Sequence, residues 1–159
     1  MAKSAFVLDH IVPIVQPTDN TCGQACVAMV AGVSVDEVIK HMGVARGSFE
    51  SEIRNGLKTF GFRSGREREI PYEDDRSPRF RYPKCGIANI TWHGPTSRVD
   101  HAVLLNDGVI YDPALGAGIP IANYVEQIIV PLRRYMDGII VITGRVNKPD
   151  NYAPFSPGQ

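Results

Sequence analysis

The stretch from Cys22 to Ala31 restricts the fold more than any other part of the chain. It is small or apolar at nearly every position, so it has no face to offer water. A helix of that composition belongs in the middle of a domain, covered on all sides. It follows Pro17-Thr18-Asp19-Asn20-Thr21, a turn rich in helix-capping residues, and Gly32 ends it. The next segment opens with Ser34 and has Glu37 three residues on, the capping-box pattern. It carries an apolar stripe of Val35, Val38, Ile39 and Met42 and stops at Gly43. The pattern predicts a third helix from about Phe49 to Phe60, capped by Ser48 and ended by Gly61, with Ile53, Leu57 and Phe60 on one face.

From Gly86 the periodicity changes to that of strands. Residues 87–92 predict one strand. His101 to Leu105 and Val109 to Asp112 predict a hairpin around Asn106-Asp107-Gly108, and Gly138 to Val146 a buried strand. Tyr124 to Val130 reads as a short helix, and residues 11–16 as an extended arm. Between the two halves, residues 63–84 carry twelve charges in 22 positions. They read as a solvated, mixed-charge excursion, or else as a substrate-facing loop with Tyr72, Phe80 and Tyr82 as its anchors. The class is α+β: N-terminal helices, then an antiparallel sheet. Residues 1–146 form one domain, and 147–159, with Pro149, Pro154 and Pro157, a tail that is disordered or loosely docked.

The 159 residues suffice for a single sizeable core. Seventeen basic residues balance seventeen acidic ones, which argues against gripping nucleic acid or an anionic membrane. Apolar runs fall well short of the roughly 20 residues of a membrane span. Three cysteines are too few for a disulfide scaffold, and the N-terminus lacks a signal-peptide pattern, so the expected compartment is the reducing cytoplasm.

Cys22 stands where the turn becomes the helix. There the positive end of the dipole and free N–H groups favour a thiolate. Cys26, one turn deeper, lacks that help and reads as a small core residue. Gln16, six residues before Cys22, brings its amide back over the sulfur if the chain loops once. With the Cys22 backbone N–H it then supplies the two donors of an oxyanion hole. A two-residue turn at Asp107-Gly108 places Asn106 opposite Val109 and sets His101 and Asp112 diagonally on one face, about 7–8 Å apart at the backbone. A three-residue loop would separate them. Paired, His101 takes the thiol proton and Asp112 orients the imidazole. Taken singly, each residue has an ordinary packing explanation, and only their combination argues for chemistry. Asp100 points to the opposite face and is a poor orienting acid. His93, at a strand end, is a weaker candidate for the same cleft, while His10 lies near the terminus and His41 at a helix end.

The string Gln16-Pro17-Thr18-Asp19-Asn20-Thr21-Cys22-Gly23-Gln24-Ala25-Cys26 resembles the active-site segment of the bacteriocin-processing (C39-like) peptidases of the papain-like superfamily. Downstream, His101-Ala102-Val103-Leu104-Leu105 and Asp112-Pro113-Ala114 are similar to that family's His and Asp blocks, and the likeness spans roughly residues 10–145. The resemblance implies a papain-like fold. It also implies a thiol peptidase acting on a peptide or protein: Cys22 as nucleophile, His101 as general base and acid, Asp112 as orienting residue, Gln16 in the oxyanion hole, and neither cofactor nor metal. Substrate identity is not part of the resemblance. A deamidase or acyltransferase would use the same acyl-enzyme, and a non-catalytic peptide-binding module on the same fold is the alternative from another class. A zinc site from Cys22, Cys26, Cys85 and His93 lacks a second cysteine pair at the usual spacing.

Overall fold

A computed structural model describes residues 5–48 and 50–146. The proposed tail 147–159 and position 49 lie outside the described residues. Three helices come first: α1 (Cys22–Ala31), α2 (Val35–Met42) and α3 (Glu50–Thr59). A six-stranded antiparallel sheet follows, in the order β1-β6-β2-β3-β4-β5. Its strands are β1 (Phe62–Glu69), β2 (Cys85–His93), β3 (Arg98–Asn106), β4 (Val109–Asp112), β5 (Ala117–Pro120) and β6 (Tyr135–Arg145). A short helix α4 (Ile121–Tyr124) runs into a single π-helical turn, Val125–Ile129.

The helix boundaries follow local chemistry. In α2 the Ser34 hydroxyl accepts the Glu37 N–H at 3.1 Å, and Gly43 closes the helix in the left-handed region at φ 70°. Gly32 does the same for α1. The expected capping of α1 takes another form: the Thr21 hydroxyl donates backwards to the Thr18 carbonyl and leaves the first N–H groups of the helix open. Ser48, the expected cap of α3, turns its hydroxyl to the Gln24 side-chain oxygen.

The sheet is buried on both faces. One face (Ile87, Ala102, Leu104, Ile140, Ile142) packs on α1, whose Ala25 to Ala31 are all buried. The other (Ala88, Ile90, Val103, Leu105, Ile110, Met136, Ile139) is covered by Ile70, Tyr124 and Ile129, with Phe80 and Tyr82 beside them. This corrects the reading of residues 63–84. Their first part is the edge strand β1, whose alternating charges guard an open edge. The remainder crosses the second sheet face. It is held there by buried Asp75, which accepts the Met136 N–H at 2.8 Å, while Arg76 donates to the Arg134 carbonyl at 2.7 Å. Tyr72 is not an anchor, being 71% exposed. The helix expected at Tyr124 begins earlier, at Ile121, and β5 has no counterpart in the sequence reading because its Gly-Ile-Pro composition carries no alternation.

The arm before α1 forms no strand. It is tied to the hairpin by reciprocal hydrogen bonds between the Asn106 side chain and the Leu8 backbone, at 2.8 and 3.0 Å. Among the described residues no single helix is long and apolar enough to cross a membrane.

β2 runs between β3 and β6, and Gly86 sits where its neighbours leave no room for a side chain. A Cβ there would lie 2.8 Å from the Ile139 methyl and 2.8 Å from the Ile140 carbonyl oxygen. Gly86→Ala therefore destabilises the domain by about 1–3 kcal/mol, read as a lower midpoint in urea at unchanged slope.

Candidate active site

The hairpin register decides the site. Asn106 pairs with Val109, Leu105 with Ile110 and Leu104 with Tyr111, as a two-residue turn requires. His101 and Asp112 consequently share a face, and the His101 Nε2 lies 2.7 Å from Asp112 Oδ1. Pairing with β4 stops at Leu104, which leaves the outer N–H of Ala102 without a strand partner. The N-terminus of α1 fills that place: the Ala102 N–H donates to Cys22 Sγ at 3.3 Å. His101 and the Cys22 sulfur lie close enough to favour each other's charged form, and with Nε2 taken by Asp112 the nitrogen left to face the sulfur is Nδ1.

Asp112 is 3% exposed and fully engaged. Oδ1 also accepts the Ala114 N–H at 2.8 Å, and Oδ2 accepts the Tyr124 hydroxyl at 2.6 Å. Burial pushes its carboxyl up. The hydrogen bond and charge of His101, the Tyr124 hydroxyl and the Ala114 N–H nevertheless hold it below the ordinary carboxylate value. For His101, burial opposes the charged ring, but the hydrogen bonds and charges of Asp112 and Cys22 raise it from 6.5 to about 9. Burial likewise works against the Cys22 thiolate, and is outweighed by His101 and by the Ala102 and Gly23 N–H groups, so this thiol is lowered. The other two behave oppositely: burial drives Cys26 well up and Cys85 up to about 12. All three are free thiols, and among the described residues no three His, Cys, Asp or Glu side chains gather as metal ligands.

Gln16 is placed differently from the sequence expectation. Its backbone N–H donates to the Pro113 carbonyl at 2.9 Å, which fixes it beside the Asp112 turn. Its side-chain Nε2 donates to the Thr18 carbonyl at 2.8 Å, and its Oε1 is buried without a partner among the described residues. The amide is thus held by the loop that enters α1, and Gln16 is not among the residues lining the cleft over Cys22. Asp100, on the opposite face of the strand from His101, bonds to Arg98 and Asn89. His93 is exposed at the end of β2 and is not among the residues lining the cleft.

A cleft of about 450 Å³ opens over Cys22. Its helical wall is formed by Asn20, Gly23, Ser48 and Ile53, and its sheet wall by Ile87, Asn89, His101 and Ala102. A side chain at position 23 would run into Ser48 and Ile53, so glycine is what lets these two residues close against the start of α1. Asp19, Glu50, Glu67 and Asp100 also line the cleft against the single guanidinium of Arg98, and Glu67 is the only residue of the charged 63–84 segment that does so. Two residues near the site went unnoticed in the sequence. Tyr124 looked like an ordinary helix residue. Trp92 looked like strand packing, yet its ring meets the His101 ring edge to face at 6.4 Å and carries Arg134 at 3.9 Å on its face. Only their approach in space marks them.

The proton balance can be measured. Folded His101 keeps its proton to about pH 9, whereas an unperturbed imidazole loses it near 6.5. Its contribution to stability is therefore complete below about 6.5 and disappears as pH rises through about 9. Imidazole NMR of His101 is expected to titrate near 9, and the midpoint falls in Cys22→Ala and in Asp112→Asn. A midpoint of about 6.5 in the wild type would contradict the charge pair.

No family model matches the sequence, and no curated protein matches it. Among solved structures, the crystal structure of a double glycine motif protease from an AMS/PCAT transporter in complex with the leader peptide is similar. Its TM-score is 0.52 and its identity 20%, over 89% of this chain and 99% of that one. At that identity the likeness is one of architecture, and the two chains share a fold.

Proposed function

We propose that this chain is a papain-like, C39-like cysteine peptidase that cleaves a peptide or amide bond through an acyl-enzyme on Cys22. The observation that carries the reading is the His101–Asp112 pair at 2.7 Å set beside the Cys22 sulfur, at the free N-terminus of a buried helix and in a cleft lined by Cys22 and His101. The fold shared with a double glycine motif protease supports it, and the leader peptide bound to that protein supports a peptide as substrate. A thiol nucleophile alongside two further free cysteines suits a reducing compartment such as the cytoplasm.

In the proposed reaction the Cys22 thiolate forms a bond to the substrate carbonyl carbon, and the carbonyl electron pair moves onto oxygen. The Cys22 backbone N–H, free at the first helical position, stabilises that oxyanion together with a Gln16 amide hydrogen. A glutamine amide carries a second hydrogen besides the one given to Thr18. Imidazolium His101 gives its proton to the leaving amine as the C–N bond breaks. Neutral His101 then takes a proton from water, which attacks the thioester and releases the acid and the Cys22 thiolate. Asp112 stays ionised throughout and keeps the imidazole facing the sulfur.

Two measurements test this. Sub-stoichiometric iodoacetamide at pH 6 is expected to label Cys22 selectively, mapped by mass spectrometry, and His101→Ala abolishes the selectivity. Slow, equal labelling of all three cysteines would instead describe a binding module without an activated thiol. The oxyanion role of Gln16 separates from thiol activation: Gln16→Ala lowers kcat on a cleaved peptide by roughly 10²–10³-fold while leaving the alkylation rate of Cys22 unchanged.

A further inference from the structure

The row of side chains does not end at Asp112. Tyr124 comes from α4, an element outside the hairpin, and its hydroxyl donates to Asp112 Oδ2 at 2.6 Å, opposite the oxygen that serves His101. Tyr124 is fully buried, and its ring packs among Ile110, Ile129 and Met136. The chain is arranged to deliver it. β5 returns along β4, the Ile121 N–H bonds the Gly108 carbonyl at 3.0 Å, and α4 follows at once, passing directly into the π turn Val125–Ile129. Such turns are uncommon and often occur at functional sites.

A carboxylate with one oxygen on an imidazole and the other unpaired can rotate about its χ2 angle, or pick up a proton. With three donors at fixed positions (His101, the Ala114 N–H and the Tyr124 hydroxyl) it has one orientation. We propose that Tyr124 is a positioning residue for the reaction. It locks the Asp112 carboxylate plane so that Oδ1 alone faces His101, and through His101 it sustains the Cys22 thiolate. The inference rests on the peptidase reading above. The titratable and charged groups around the carboxylate are His101 from β3, Tyr124 from α4 and Cys26 from α1, with Cys22 beyond the imidazole and Arg134 beside Tyr124. The hydroxyl and Ala114 bonds favour the ionised carboxyl, so loss of the hydroxyl makes Asp112 easier to protonate.

The test is the rate of iodoacetamide alkylation of Cys22 against pH, in the wild type and in Tyr124→Phe, which keeps the ring and removes only the hydroxyl. The expected result is a variant that still unfolds cooperatively, whose acid limb lies at higher pH and whose rate at pH 6 is lower by roughly tenfold or more. On a cleaved peptide, kcat falls with it and KM does not. A variant with the wild-type pH profile, whatever its melting temperature, overturns the inference and leaves the peptidase reading intact. A wild type whose Cys22 reacts no faster than a simple thiol at any pH removes both. If Tyr124→Phe does not fold, the wild-type protein decides by proton NMR. A protected tyrosine hydroxyl resonance that shifts as His101 titrates supports the role, and one that stays fixed overturns it.

Discussion

The Asp112 carboxylate is a charge kept inside a protein, and much of the architecture answers to it. An isolated carboxylate in that position would take up a proton or unfold its surroundings. Stripping a partner from such a buried pair costs about 3–5 kcal/mol. The partners come from separate places: His101 from the neighbouring strand, Ala114 from the turn after β4, and Tyr124 from α4. Their meeting requires the hairpin to be in register, β5 to fold back and α4 to dock. The charge is thereby a condition on the tertiary fold as much as a tool of chemistry.

The two-sided sheet provides the rigidity behind that condition. Each face of β2, β3 and β6 has its own core, one against α1 and one against the crossing segment and α4. The sulfur arrives from the first side, at the N-terminus of α1, and the tyrosine from the second. His101 lies between them, on a strand whose outer hydrogen-bonding edge is released where β4 ends. The open N–H groups of α1, left free because Thr21 bonds backwards, are what that end of the helix offers to a thiolate and to a developing oxyanion.

The legible and illegible parts of the sequence divide by the range of the interactions involved. The cap of α2, the glycine stops of α1 and α2, and the two-residue turn at Asp107-Gly108 are written in neighbouring residues, because each is decided within a few peptide units. The parity of His101 and Asp112 follows from that turn by counting. The place of the 63–84 segment in the fold is illegible for the opposite reason. Its charges describe the solvent side of an edge strand, and its purpose as a cover depends on Ile70, Asp75 and Phe80 finding a sheet face far along the chain. Gln16 illustrates a finer limit. Its distance along the chain from Cys22 is set by sequence, but the direction of its amide is set by a competing carbonyl at Thr18.

By itself the sequence determined a buried helix with a cysteine at its first turn, a mixed α/β order, and a turn signal at Asp107-Gly108 that, if two residues long, puts an imidazole and a carboxylate on one face. These follow from periodicity, capping and turn chemistry, all local. Only the tertiary structure decided that the sulfur meets the Ala102 N–H, that Tyr124 closes the carboxylate, and that Trp92 and Arg134 stack outside His101. Those contacts join residues distant in the chain, and nothing in either neighbourhood encodes the other until the sheet has brought them together.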